Sequence, residues 1–231
     1  LQANTGRTTR ATLLTPAKVS SCMLLSFEQS RSLLSKYGLP LVPTVASKDA
    51  GEIVRQGLYL GFPLVLKASG PSINHKTERG LVYTHISCKE QLEQDAHELK
   101  GKLKAEPDAA MLLQRQVSGA ELIIGGKRDA VFGPVVLFGT GGIYAELLAD
   151  VSTRVCPLGK EDARQMLFET HASKFASGFR SMKMDVDKMV ELLLKTSKLL
   201  VENEWVQELD FNPVIANERG ATIVDARVVS K

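Results

Sequence analysis

The sequence contains no run of about 18 apolar residues, so nothing in it reads as a membrane-spanning helix. Cysteine is scarce and dispersed. Cys22, Cys88 and Cys156 are far apart, odd in number and without Cys-x-x-Cys spacing. That pattern excludes a disulfide framework or a structural zinc site, and it fits a reducing, cytoplasmic setting with Cys156 as a buried structural thiol. A strong charge bias is also missing. The formal net charge is +3, and the Lys and Arg residues are scattered among acids without a basic stripe or interleaved aromatics. A nucleic-acid partner is therefore not expected. There is no internal repeat and no low-complexity tract. Residues 1–21 lack any acid, are rich in Thr and Ser, and carry Arg7, Arg10 and Lys18. They also lack the roughly 7–15-residue apolar core of a secretory signal. They read as a disordered or leader segment.

What is present is ordinary for a globular protein: 231 residues, 44% hydrophobic and 24% charged, enough to bury a sizeable core. Phe27, Leu33, Leu34 and Tyr37 mark one face of a short helix that Gly38 stops, with an extended piece at 40–45. Ser47 is the expected N-cap of a second helix carrying Ile53, Val54 and Leu58. Residues 63–68 read as a buried strand ending in Lys67, followed by a loop at 69–80 and a strand at 81–86. Ser87 and Glu90 have capping-box spacing ahead of a helix with Leu92, Ala96 and Leu99. Strands are expected at 111–117, 120–125 and 130–138, then a glycine loop at 139–142. Helices follow at about 160–170 and 185–200. The chain closes with a hairpin of strands 206–215 and 221–228 around Asn217-Glu218-Arg219-Gly220. Strands and helices mix without regular alternation, which indicates α+β lobes rather than a doubly wound sheet.

Few residues carry chemistry. Lys67 sits on an apolar strand, where a charge is costly unless a counter-charge meets it, and an ammonium facing a cleft suits a phosphate. By itself such a residue is more often a lysine reaching out from the sheet's rim. The loop after it, Ser69 to Gly80, is rich in small polar residues around His75 and Lys76. An exposed imidazole there can accept a phosphoryl group, though a lone loop histidine is more often simply solvated. His85, His97 and His171 read as structural or surface residues. Gln114 to Val117 end a strand, where backbone groups can meet an adenine edge, and Glu121 opens the next, a carboxylate placed for ribose hydroxyls. Alternation puts Glu208, Asp210 and Asn212 on one strand face, with Asp225 on the neighbouring strand of the hairpin. Hard oxygen donors on adjacent strands suit Mg²⁺, which takes one or two protein ligands and completes its shell with phosphate and water.

Taken in order, several motifs resemble the ATP-grasp domain of the acyl-CoA synthetases that form ADP, a group that includes the succinyl-CoA synthetase β-subunit. They are Tyr37-Gly38-Leu39-Pro40, Gly61-Phe62-Pro63-Leu64-Val65-Leu66-Lys67, His75-Lys76, Gly119-Ala120-Glu121-Leu122-Ile123-Ile124-Gly125, Phe132-Gly133-Pro134, Phe138-Gly139-Thr140-Gly141-Gly142-Ile143, and Asp210-Phe211-Asn212-Pro213 with Asp225-Ala226-Arg227. The resemblance implies an ATP-grasp fold of two lobes, 22–115 and 116–231, with the nucleotide between them. It implies a ligase acting as the nucleotide-binding subunit of an acetate–CoA ligase (ADP-forming), with Mg²⁺ and with ATP or ADP as substrate. It assigns ATP contacts to Lys67, Gln114, Gln116, Val117 and Glu121, and metal ligation to Asn212 and Asp225. Asp210 falls on an acid that helps to hold a phosphohistidine, and His75 on a histidine that relays the phosphoryl group.

A partner α-subunit that binds coenzyme A is implied, in an α2β2 assembly. The chain departs from the family's His-Lys-Ser-Asp-x-Gly-Gly loop, reading His75-Lys76-Thr77-Glu78-Arg79-Gly80-Leu81, with one glycine at its end. The coenzyme A ligase lobe of the succinyl enzymes is expected on another chain or in a longer one. Two other functions fit the same residues: the ATP-grasp regulatory domain of a protein-lysine acyltransferase, and a non-catalytic nucleotide-binding scaffold. ATP binding without phosphohistidine would single out the scaffold.

Overall fold

The computed structural model describes residues 22–73, 76–141, 150–180 and 182–231. Within them two antiparallel sheets form two lobes. The larger has the strand order β1 (Met23–Leu24), β11 (Arg227–Ser230), β9 (Val206–Asn217), β6 (Ala120–Asp129), β7 (Gly133–Thr140) and β8 (Val151–Val155), with β10 (Gly220–Ile223) also paired to β9. The smaller has the order β2 (Thr44–Ser47), β5 (Ala110–Arg115), β3 (Leu64–Ser69) and β4 (Val82–Ile86). Helices cover one face of each sheet, so the α+β expectation holds.

Each lobe has its own core because alternate residues of its strands face its helices. In the smaller lobe Leu64, Leu66, Ala68, Met111 and Leu113 meet Ile53 of α2 (Ala50–Leu60) and Leu92 and Leu99 of α3 (Lys89–Lys102). In the larger lobe Leu122, Ile124, Phe138, Leu209, Phe211 and Val214 meet the apolar side of the C-terminal helix, Val186–Glu202, through Met189, Val190, Leu193 and Leu200. Each fully buried leucine here is worth about 1.5–3 kcal/mol relative to exposure. The first helix, α1 (Phe27–Lys36), carries the Ser26–Gln29 capping box and packs Leu34 into the larger lobe's core. It ends, as the sequence suggests, at Gly38 with φ +61. The span 22–115 thus divides between the sheets: β1 and α1 join the larger lobe, and β2 to β5 build the smaller.

Several local expectations are corrected. Ser47 closes β2, and the N-cap of α2 is Asp49, whose carboxylate accepts from the Glu52 N–H at 2.9 Å. No Ser87–Glu90 box forms. Gln91 instead reaches back to the backbone N–H of Ser87 at 3.0 Å, and α3 begins one residue later with Cys88 at its N-cap. Residues 130–132 are a turn rather than strand, because Asp129 Oδ1 accepts from the N–H groups of Val131 and Phe132. The strand β7 runs on through Gly139 and Thr140, so the glycine run begins inside the sheet. At Gly141 an added Cβ would lie 2.9 Å from the backbone of Glu121, which is why this close approach to β6 takes glycine. The last strand is split: residues 224–226 lie outside the ladder between β10 and β11.

Candidate functional site

Strand alternation decides where the chemistry gathers. On β3, Leu66 and Ala68 turn into the smaller lobe's core, so Lys67 turns the other way. It lies directly opposite Leu112 of β5, and Val65 lies opposite Gln114. Lys67 stands within β3 rather than at its end, and only 5% of it is exposed. An ammonium so buried needs partners from elsewhere. The break in the larger lobe's hairpin supplies them. Lys67 Nζ donates to the Val224 carbonyl at 2.5 Å and lies 3.5 Å from Asp225 Oδ1. Gln114 Nε2 donates to the same carbonyl at 3.2 Å and to Thr44 Oγ1 at 2.9 Å. Burial pushes the Lys67 ammonium down to about 8, Asp225 pulls it back up, and Lys76 adds to the depression.

Lys76 reaches the same carboxylate from the turn before β4, donating to Asp225 Oδ1 at 3.0 Å and to Oδ2 at 2.7 Å. That turn is pinned on both sides. The Leu81 N–H bonds the Lys76 carbonyl at 2.8 Å, and the Ala68 N–H bonds the Leu81 carbonyl at 3.0 Å. Leu81, where the family loop has its second glycine, is buried in the smaller lobe's core. Burial alone would raise the Asp225 carboxyl, but the ammonium groups of Lys67 and then Lys76 outweigh it and hold the carboxyl low.

Across the break, the Val224 N–H meets the Pro213 carbonyl at 3.2 Å and Arg227 pairs with Asp210, which sets Asn212 opposite residues 225–226. Leu209 and Phe211 point into the core, so Asp210 and Asn212 share the other face of β9, with Asn212 exposed. The Asp210 carboxyl is raised by burial, then by Asp225 and Glu208, against a smaller opposing pull from Arg227 and Lys76. Asp210 and Asp225 lie close enough for one to raise the other, and with the exposed Asn212 amide they offer oxygen donors of the hard kind that a divalent cation takes, while Lys67 and Lys76 offset the charge of Asp225. Among the described residues no group of three or more His, Cys, Asp or Glu side chains gathers in metal-holding geometry.

The remaining sequence candidates are placed as follows. Lys67, Gln114 and Asp225 line a space of about 10 Å³, about one water's worth, between the lobes. The Gln116 N–H donates to the Pro63 carbonyl, and its side-chain oxygen accepts from the His85 N–H at 2.8 Å, so the side chain is turned toward β4. Val117 lies beside a separate cavity of about 510 Å³ bordered by Gly38, Lys188, Lys195 and Arg219. Glu121 is exposed on β6 opposite Ile215, and its carbonyl accepts from the Gly141 N–H at 2.8 Å. His75 and Gly142 lie outside the described residues. The Val224 carbonyl was not legible from sequence, since an apolar residue gives no sign that its main chain leaves the ladder. Lys76 was foreshadowed only as a cation next to His75.

Two lobes joined at a buried lysine, with oxygen donors at a strand break, agree with the comparisons to known proteins. A model of the ATP-grasp domain matches residues 17–229, and the chain belongs to that family. It is similar to the dinucleotide-forming acetyl-coenzyme A synthetase 1 of Ca. Korarchaeum cryptofilum, solved with coenzyme A, Ca-AMPCP and HgCl⁺. That match has 36% identity and a TM-score of 0.83, covering 91% of this chain and 93% of that one. A second structure of that enzyme holds coenzyme A and Mg-AMPPCP, with its phosphohistidine segment pointing towards the nucleotide binding site. It matches at 35% identity and TM-score 0.77, covering 90% and 93% of the two chains. The β subunit of the ADP-forming acetate–CoA ligase II of Pyrococcus furiosus is 33% identical over 212 residues, which are 88% of this chain and 90% of that subunit. Archaeoglobus fulgidus has a longer ADP-forming acetate–CoA ligase II that is 37% identical over 208 residues. The match covers 90% of this chain and 30% of that protein. Among the described residues no helix is long and apolar enough to cross a membrane.

Proposed function

We propose that this chain is the nucleotide-binding unit of an ADP-forming acyl-CoA synthetase, interconverting acyl-CoA, ADP and phosphate with acid, CoA and ATP. The observation that carries this reading is the meeting of Lys67, Lys76 and Asp225 where the two lobes touch, in a chain that matches a separate β subunit over most of both lengths. Lys67 holds the nucleotide's phosphates, Gln114, Gln116 and Val117 take the adenine, and Glu121 takes the ribose. Asn212 and Asp225 hold Mg²⁺, which when bound offsets phosphate charge during transfer. His75 accepts the phosphoryl group and passes it on, and Asp210 steadies the phosphorylated imidazole. Relay by a side chain is required because coenzyme A chemistry and nucleotide sit in different places.

The partner is a coenzyme A-binding α-subunit, whether a separate chain in an α2β2 assembly or a neighbouring part of a longer one. The free cysteines suit a cytoplasmic location.

The test is phosphoryl labelling. With labelled ATP and Mg²⁺ the chain should acquire acid-labile, base-stable label at His75, and His75→Asn should bind ATP yet take up none and lose turnover by orders of magnitude. Near-normal turnover of His75→Asn would refute the relay. ATP binding with no label in the native chain would point to a nucleotide-binding scaffold instead.

A further inference from the structure

The contact between Lys76 and Asp225 does more than neutralise charge. One ammonium is shared between both oxygens of a single carboxylate, at 3.0 and 2.7 Å, with a second ammonium, that of Lys67, 3.5 Å from Oδ1. Both oxygens of the carboxylate assigned to the metal are thus already taken by cations. A divalent ion bound there would stand next to two positive charges, and like charges at such separations repel strongly where water is scarce. One lysine has to yield. Lys67 is buried, with its side chain 6% exposed, and it is also anchored on the Val224 carbonyl. Lys76 is more accessible, at 21%, and among the described residues its side-chain partner is Asp225. It sits on a short turn rather than within a strand, so it can withdraw at little cost.

We propose that the Lys76 ammonium is a stand-in for the metal on Asp225, so that divalent-cation binding displaces it and undocks the turn at residues 76–81 from the larger lobe. This rests on Asp225 being a metal ligand. Lys76 is then a positioning residue. It keeps the carboxylate oriented and compensated while no metal is bound, it lowers the chain's affinity for free metal, and it ties release of its turn to arrival of the ion.

The experiment uses the full chain, with Mn²⁺ as a paramagnetic probe of metal binding and hydrogen exchange as a probe of the turn. Lys76→Met should bind Mn²⁺ about tenfold more tightly than the native chain, a coupling of ordinary size between competing ligands. Lys76→Arg, which keeps the cation, should stay close to native. In the native chain, adding Mg²⁺ with ADP should speed exchange of the Leu81 amide and its neighbours in 76–81, and in Lys76→Met that segment should already exchange fast and respond little. Equal Mn²⁺ affinity of Lys76→Met and the native chain, or exchange at 76–81 indifferent to metal, overturns the competition. Asp225→Asn separates the two claims. If it loses Mn²⁺ binding while Lys76→Met binds as the native chain does, the metal assignment stands and the competition alone fails. If Asp225→Asn binds Mn²⁺ normally, the metal assignment fails and takes the competition with it.

Discussion

The ammonium of Lys67 donates to the main-chain carbonyl of Val224 at 2.5 Å, tying an interior strand of the smaller sheet to the gap between β10 and β11 in the larger one. A buried lysine held in this way is sensitive to pH. Its folded value of about 8 lies below the ordinary 10.5, so between those values the unfolded chain keeps a proton that the folded chain has released. Stability contributed by this group therefore rises as pH increases through that window, and below about 8 the cost of the buried charge is carried in full. Relative to Lys67→Met, the native chain should gain roughly 1.4 kcal/mol per pH unit there. Denaturant unfolding of both proteins at pH 7.5 and 10.5 checks it, and parallel curves would count against a buried, depressed lysine. On the proposed role of Lys67 at the nucleotide's phosphates, turnover should move the other way, falling above about pH 8 as that cation is lost.

Asn212 and Asp225 should respond differently to alanine. Asn212 is exposed, so Asn212→Ala should alter stability by no more than about 0.5 kcal/mol while abolishing Mg²⁺-dependent turnover. Asp225→Ala should abolish turnover too, and it should also destabilise by about 3–5 kcal/mol, because it strips buried Lys67 of its counter-charge. Activity at saturating Mg²⁺ with melting curves decides both. Normal turnover of either variant sinks its metal role.

Glu121 is exposed on β6, opposite Ile215 of β9. On the proposed ribose role of Glu121, a contact felt equally in the ground and transition states, Glu121→Ala should raise the nucleotide KM about tenfold or more with kcat little changed. Steady-state kinetics would move Glu121 into the chemistry if kcat fell and KM did not.

Asp210 carries a carboxyl raised by burial and by its acidic neighbours, so its ionised form burdens the fold at neutral pH. A raised folded value means that this group's stabilising contribution is present in acid and is lost as pH climbs through it. Asp210→Asn should therefore melt higher than the native chain at pH 7, with the gap closing towards pH 4, while phosphohistidine turnover falls. A lower melting temperature at pH 7 would show that the carboxylate is structural instead.

Much of this was legible in sequence. The alternation of Leu64, Leu66 and Ala68 against Lys67 announced a charge facing away from a core, and Leu209-Asp210-Phe211-Asn212 announced a polar strand face, because a period of two is a local signal. The α+β class follows from the mixing of such segments with helical ones, and the ATP-grasp fold, implied by the resemblance of the ordered motifs, is borne out by the family match. The split of the last strand was hidden, since Val224-Asp225-Ala226 continues an apolar pattern that reads as unbroken strand. Caps were misplaced by one or two residues at Ser47 and Ser87, where Asp49 instead takes the Glu52 N–H and Gln91 takes the N–H of Ser87. The meeting of Lys76 with Asp225 spans 149 positions and leaves no local trace.

The two ends of the described chain run side by side, with Met23 paired to Ser230 and Leu24 to Val229 at one margin of the larger sheet. A unit that enters and leaves at the same edge can be spliced into a longer polypeptide, or cut free from one, without disturbing its interior. That arrangement accounts physically for relatives in which the matching region is about a third of a long protein and others in which it is nearly a whole subunit. It also makes the domain a natural candidate for circular permutation. Joining the two ends through a short flexible linker and reopening the chain at the 130–132 turn should yield a protein of the same fold, with the contact of Lys67 and Lys76 to Asp225 undisturbed.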